Sequence, residues 1–434
     1  MKEYLFIVLF ITLQCFLPVH GLAASSKSKF DWVEFYFDDS PNTPYTVYKN
    51  FYAGAEIESD VEGEFNFNLD REDDEDEVEI DTNLQLNLLY DNSEKLRGYL
   101  ELEVSHRHFF VTPSSNQPEL NFKVKEANVS ILNSERSAGI TIGRMNISDE
   151  RSWLFDTDLD GIQLAWKSET TAIEFLFARE DLLRINPFAE YGESEPNYYH
   201  LRLYSRPNES ILTSIYGIHQ QSSTSTETDL TWIGTSATGN IDSSFDFWLD
   251  SAFVLGTEDG RKVEGYGFDL GFTREFEDHN FRPRLTAAIA FGSGDDGQGT
   301  DNAFRQTGLQ SNNDRFGGRK SFRYYGEVLD PELSNLQILT IGGGVHLSEK
   351  ATLDVIYHRY YQHFASDEIR DSNLDADPSG NSRHLGDEFD IVVGFRELEK
   401  IDLDLIFGVF LPGSAFEDNN DPAYFSGLEF KFTF

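Results

Sequence analysis

From Phe51 to the C-terminus, large apolar residues recur at every second position, in runs of about ten residues separated by turns. Asn83-Leu84-Gln85-Leu86-Asn87-Leu88 alternates strictly, as does Tyr266-Gly267-Phe268-Asp269-Leu270-Gly271-Phe272-Thr273. The chain ends the same way, in Leu428-Glu429-Phe430-Lys431-Phe432-Thr433-Phe434. Comparable runs lie near 97–106, 121–131, 160–167, 171–178, 211–219, 245–254, 283–291, 337–347, 352–361, 388–396 and 401–410. A period of two is a strand signal, and no convincing stretch of helical period lies beyond residue 25. The links between runs fall into two sets. Short ones lie at 91–96, 132–136, 167–170, 206–210, 348–351 and 397–400; longer, more polar ones lie near 70–79, 145–159, 180–195, 293–336, 364–387 and 412–423. This pattern predicts an all-β protein, a transmembrane antiparallel β-barrel of about 18 strands, with short periplasmic turns and long extracellular loops. Counted back from the last strand, the first begins near Phe51, and an even number brings both ends to the periplasmic side.

An alternating strand could instead cover a soluble core with its apolar face inward, so composition matters. No stretch after residue 25 approaches the roughly 18 apolar residues of a membrane helix, and the mean hydropathy is negative, as it is for barrels whose strands average out. The chain carries 37 Phe and 19 Tyr, which suits aromatic girdles at two membrane interfaces. In hydrocarbon an unpaired strand edge costs several kcal/mol per backbone group, so such a sheet must close. Leu428, Phe430, Phe432 and Phe434 then face lipid, while Glu429, Lys431 and Thr433 face the lumen; the terminal Phe fits the signature read by outer-membrane assembly machinery. At the other end, Lys2 followed by the apolar run Tyr4 to Leu17 and a small-residue site reads as a signal peptide over 1–24. Residues 25–50 form a periplasmic lead-in, and 51–434 form the barrel with a pore loop at about 293–336. The expected location is the bacterial outer membrane, as a lipid-embedded monomer.

The single cysteine, Cys15, lies in the signal segment, which leaves no thiolate chemistry and no disulfide in the remainder of the chain. A formal net charge of −41 excludes generic nucleic-acid binding. No cofactor or metal site is expected. The acidic run at 72–77 reads as a solvated loop tip, with divalent-cation bridging to lipid headgroups as the sharper alternative. Asp156-Thr157-Asp158-Leu159-Asp160-Gly161 opens like a calcium loop, but the twelfth position would be Lys167 rather than Glu.

A barrel of this size leaves an aqueous channel, so the default function is passage of a solute. In a chain with twice as many acids as bases, Arg305, Arg315, Arg319 and Arg323 stand close together in the longest loop. A looser set contains Arg144, Arg151, Asp156 and Asp158. Arginine carries a permanent planar charge that grips carboxylates two-pronged, and rings of it select anions in pores. The segment FRQTGLQSNNDRFGGRKSFRYYGEVLDPELSNL, 304–336, closely resembles the alginate export porin family of bacterial outer membranes. So do GRMNISDERSWLFDTDLDGIQL, 143–164, and Phe291-Gly292-Ser293-Gly294-Asp295-Asp296. The resemblance implies an 18-stranded barrel whose arginine-lined constriction passes an anionic, alginate-like exopolysaccharide outward, with periplasmic export proteins as partners. Carried over by motif, Arg305 and Arg315 are the foremost constriction candidates, followed by Arg144 and Arg323. Asp156 and Asp158 match the acidic partners that hold arginines in place; Arg319, Arg151 and Glu429 complete the set. A general or sugar-uptake porin is the alternative, and a sealed surface barrel or a barrel enzyme stands further off. His106/His108 and His358/His363 are the only near pairs of histidines, no GxSxG accompanies them, and no catalytic role is assigned.

Overall fold

The structure, a computed structural model, describes residues 32–434 apart from 34, 39–40, 71–75, 93–94, 112–118, 181, 183–195, 224–226, 397, 399 and 417–420. The segment 1–24, expected as a signal peptide, and the core of the acidic run, 72–75, lie outside the described residues. A short 3-10 turn, Tyr36–Asp38, precedes strand β1 (Tyr45–Tyr48). The first wall strands are β2 (Phe51–Phe65), β3 (Glu77–Asp91), β4 (Leu96–Val111), β5 (Glu119–Leu132), β6 (Ala138–Ser148), β7 (Asp156–Lys167) and β8 (Thr171–Arg179). They continue as β9 (Asn197–Asn208), β10 (Ile211–Ser223), β11 (Glu227–Asp242), β12 (Phe245–Glu258), β13 (Arg261–Glu275) and β14 (Arg284–Gly292). Two miniature strands, β15 (Asn313–Asp314) and β16 (Phe322–Arg323), pair within a loop. The wall ends with β17 (Leu336–Ser348), β18 (Ala351–Gln362), β19 (His384–Phe395), β20 (Ile401–Pro412) and β21 (Ala423–Thr433).

Eighteen of these strands form one closed antiparallel wall. Each pairs with its neighbour in sequence, and β2 meets β21 from Glu56↔Thr433 to Phe65↔Tyr424, so no edge is left open. The period-two reading therefore holds, and its orientation is inverted relative to a soluble sheet. Leu428 and Phe430 point outward at 40% and 39% exposure, whereas Lys431 on the same strand reaches inward to Glu56 and Glu58 at 2.9 and 2.8 Å. Leu84, Leu86, Leu88, Ile140, Ile142, Ile162, Leu164 and Trp166 continue this apolar outer belt.

The two kinds of link segregate to opposite ends. One end carries 92–95, 133–137, 168–170, 209–210, 243–244, 276–283, 349–350 and 396–400; the other carries the long segments 293–335 and 363–383. Two refinements emerge. The segment 145–159, expected as one loop, is mostly strand: only 149–155 is connection, because Met145 to Ser148 and Asp156 to Leu159 pair across β6 and β7. The long-loop end also has one tight turn, Asp259-Gly260, where both residues take positive φ.

The core lies inside the cylinder. Loop 293–335 folds into the lumen, and Phe304, Phe316, Phe322, Tyr324, Tyr325 and Leu333 bury against inward wall residues such as Trp232, Trp248, Ile338, Tyr360 and Phe425. Glycines make room for it. A Cβ on Gly267 would sit 2.6 Å from the Phe304 ring, and Gly326, at φ +111°, passes the Tyr360 hydroxyl where a Cβ would lie 2.2 Å from it. The tip reaches the short-turn end: the Arg319 amide donates to Thr352 Oγ1 at 2.9 Å, and its guanidinium to the Glu349 carbonyl. At that same end the N-terminal segment packs Val33, Phe35 and Phe37 against Leu132, Ala165 and Tyr204.

Candidate functional site

The loop stays docked because two other connections lock onto it. Asp149 accepts the amides of Trp153, Leu154 and Phe155 at 2.8, 2.7 and 3.0 Å, which curls 149–155 into the lumen. Trp153 Nε1 then donates to the Tyr325 hydroxyl at 3.0 Å. From the far side, Arg370 of segment 363–383 donates to Glu332 at 2.9 Å, and the Asn373 amide to the Leu329 carbonyl at 3.0 Å.

This architecture sorts the basic residues into two groups, held and available. Arg151 is fully enclosed, its guanidinium 4.3 Å from the centroids of both Trp248 and Tyr324, with Asp269, Asp314 and Asp250 at 3.5, 3.6 and 3.7 Å. Arg305 is equally buried: it reaches Asp301 at 2.6 Å and Glu258, and its carbonyl accepts from Trp232 Nε1. Arg144 makes a two-pronged contact to Asp160 at 3.0 and 2.7 Å and donates to the Val124 carbonyl. In register it belongs with outward Ile140 and Ile142 rather than with inward Thr141.

Arg315, Arg319 and Arg323 of the loop are less tightly held. Arg315 and Arg319 are exposed, and neither makes an ion pair among the described residues. Arg323 is half-buried, 3.2 Å from Asp330, and one of its terminal nitrogens is enclosed with no hydrogen-bond partner. It lines two polar cavities at once. One, of about 150 Å³, lies between the loop and β2, β20 and β21, with Lys320, Asp60, Glu62, Asp404 and Glu429 among its walls. The other, of about 220 Å³, is bounded by Ser311, Asp330, Glu332 and Asp371.

The acidic candidates divide similarly. Asp156 accepts from Ser311 and so fastens the loop to β7. Asp158 meets Lys125 at 3.2 Å and Asn146 at 3.2 Å. Asp156, Asp158 and Asp160 alternate along one strand with separate partners, which is why the calcium-like spacing does not build a calcium loop. Glu429 pairs with Lys320, a loop residue that a search for arginines alone misses. The enclosed loop acids sit above the usual carboxylate range: burial pushes Glu327 up to about 7 and Asp330 up to about 6, with Arg323 pulling each the other way. Of the paired histidines, His358 and His363 make contacts that hold wall and loop. His358 shares a 2.9 Å hydrogen bond with Thr340, and His363 accepts the Gly294 amide at 3.0 Å.

Comparison with known proteins bears on this geometry. The alginate export family model matches residues 47–424. Alginate production protein AlgE of Pseudomonas aeruginosa is 31% identical over 187 residues, 38% of this chain and 37% of that protein. Its counterpart from Azotobacter vinelandii is 26% identical over 181 residues, 37% of each. The matched stretch thus spans little more than a third of the length of these curated relatives. Among solved structures, Pseudomonas aeruginosa OccK7 (OpdD) superposes with a TM-score of 0.60 at 13% identity, covering 89% of this chain and 99% of that one. OpdK with vanillate, from the same organism, gives 0.56 at 10%, over 88% and 98%. At such identities the likeness is one of fold.

Proposed function

The chain belongs to the alginate export family, an outer-membrane β-barrel family, and from that premise we propose that it passes an anionic, alginate-like exopolysaccharide outward through its lumen. The observation that carries the reading is Arg323. It is the loop arginine that borders both polar cavities, and it keeps an enclosed donor unspent. A carboxylate of a passing glycan is the group that matches such a donor. Arg315 and Arg319 offer further charges along the exposed side of the loop, so the glycan can exchange among several sites of similar depth, which conduction requires. Arg305, Arg151 and Asp156 support this surface by holding the loop in place, and Asp158 ties β7 to Lys125 of β5. Arg144 stiffens the wall.

The test is block of the reconstituted channel by oligouronates in planar bilayers. Arg323→Gln and the pair Arg315→Gln with Arg319→Gln are expected to weaken the block, each removing a charge-assisted contact worth about 1.5–3 kcal/mol when desolvated and less when exposed. A wild-type channel indifferent to oligouronates, yet blocked by neutral sugars, overturns the reading in favour of a sugar-uptake porin.

A further inference from the structure

The wall that faces the loop across the first cavity is built of carboxylates. On β2, Glu56, Glu58, Asp60, Glu62 and Glu64 all belong to the inward register, and β3 sets acids directly opposite three of them: Asp60↔Asp81, Glu62↔Glu79 and Glu64↔Glu77. Like charges opposite one another across a strand pair are destabilising, so their placement needs a reason. Some are answered. Lys431 takes Glu56 and Glu58, Arg107 takes Glu79 at 2.7 Å and Asp81 at 3.2 Å, and Lys320 takes Glu429. Arg396 grips Asp404 at 2.6 and 2.8 Å. Asp60, Glu62, Glu64 and Glu77 have no ion-pair partner among the described residues. They form one contiguous patch, of which Asp60 and Glu62 line the cavity that Lys320 and Arg323 close from the loop side.

We propose that the export path is two-faced, and that this unpaired patch is a specificity-determining surface for the glycan. The inference rests on an acidic glycan being the cargo. Rings of acid and base act in pores through the sign they present, and here the signs stand on opposite sides of one gap. The wall repels uronate carboxylates and turns them toward Arg323 and its neighbours. Glycan hydroxyls, which donate hydrogen bonds, are accepted by the wall carboxylates. The same repulsion shortens each stay on the loop, so a polyanion is gripped on one side without adhering. A polymer lacking carboxylates is not oriented in this way.

The experiment uses the full chain in planar bilayers, comparing wild type with Glu62→Gln/Glu64→Gln. Recorded at mildly alkaline pH, removal of two carboxyl groups that lack an ion-pair partner among the described residues is expected to shift the reversal potential under a KCl gradient toward that of chloride, and to lengthen each block by an oligouronate. Asp60→Asn/Glu77→Gln, on the same patch, is expected to move both readouts the same way and serves if the first variant fails to assemble. Assembled variants with an unmoved reversal potential, or with shorter blocks, overturn the inference. Absence of any oligouronate block in wild type instead overturns the export reading, and the potassium–chloride readout still decides whether the patch faces the conducting path.

Discussion

Arg151 shows how little of an arginine's role can be read from its charge. Its guanidinium is stacked between Trp248 and Tyr324 and ringed by three aspartates, so it holds loop to wall instead of meeting solvent. Removing one member of a buried ionic cluster leaves uncompensated charge and costs about 3–5 kcal/mol. Arg151→Ala is therefore expected to lower the thermal midpoint in detergent markedly. Arg151→Lys should recover only part, because an ammonium keeps the charge without the planar stacking. Equal midpoints for wild type and Arg151→Ala would remove this role. Arg315 also stands beside an acid and an aromatic in sequence, Asp314 and Phe316, yet it is exposed and makes no ion pair among the described residues. Type and spacing identified both residues as unusual. The distinction between them arises from which wall residues the folded loop meets, and Asp250, Asp269 and Trp248 are distant in the chain.

At the scale of elements, the strands were legible because lipid and water impose opposite demands on alternate residues, and that demand is local. β6, β9 and β11 were exceptions; in β6, Arg144, Asn146 and Ser148 stand in the register of outward Ile140 and Ile142, so the period fades and a loop is read where a strand continues. The carboxylate patch was not legible. Asp60 meets Glu429 only because β2 closes on β21, a pairing set by strand number and stagger rather than by any motif. Loop docking also carries a pH dependence. Burial raises Glu327 to about 7 in the docked loop, against an ordinary value of about 4.3 in a released one. The docked state thus holds a proton that the released state gives up, so this contribution to docking is complete at low pH and is lost as pH rises toward 7. Limited proteolysis of the loop should be faster near about pH 8 than near about pH 5. Glu327→Gln, which stays neutral, should flatten that difference, and a profile unchanged by the substitution would assign the dependence elsewhere.

Across the whole molecule, the outer belt and the inner wall ask opposite things of neighbouring residues, and β3 offers the sharpest comparison. Leu86 is outward, 41% exposed, and paired with Leu102. Gln85, next to it, faces inward and donates to Glu103 at 3.5 Å. An arginine on the lipid face near the midplane costs about 2–4 kcal/mol, because its charge loses water and gains no partner. An arginine at 85 instead enters an aqueous lumen and gains Glu103 and the carboxylates of β2. Leu86→Arg should therefore reduce the folded, heat-modifiable fraction recovered from membranes, while Gln85→Arg should assemble as wild type does and shift ion selectivity toward chloride. A soluble sheet would also tolerate a charge at 85 better than one at 86, but only a wall around an open lumen couples position 85 to ion selectivity. The selectivity readout of Gln85→Arg thus tests which side of the wall faces the lumen, and the direction of its shift reports the sign of the field there.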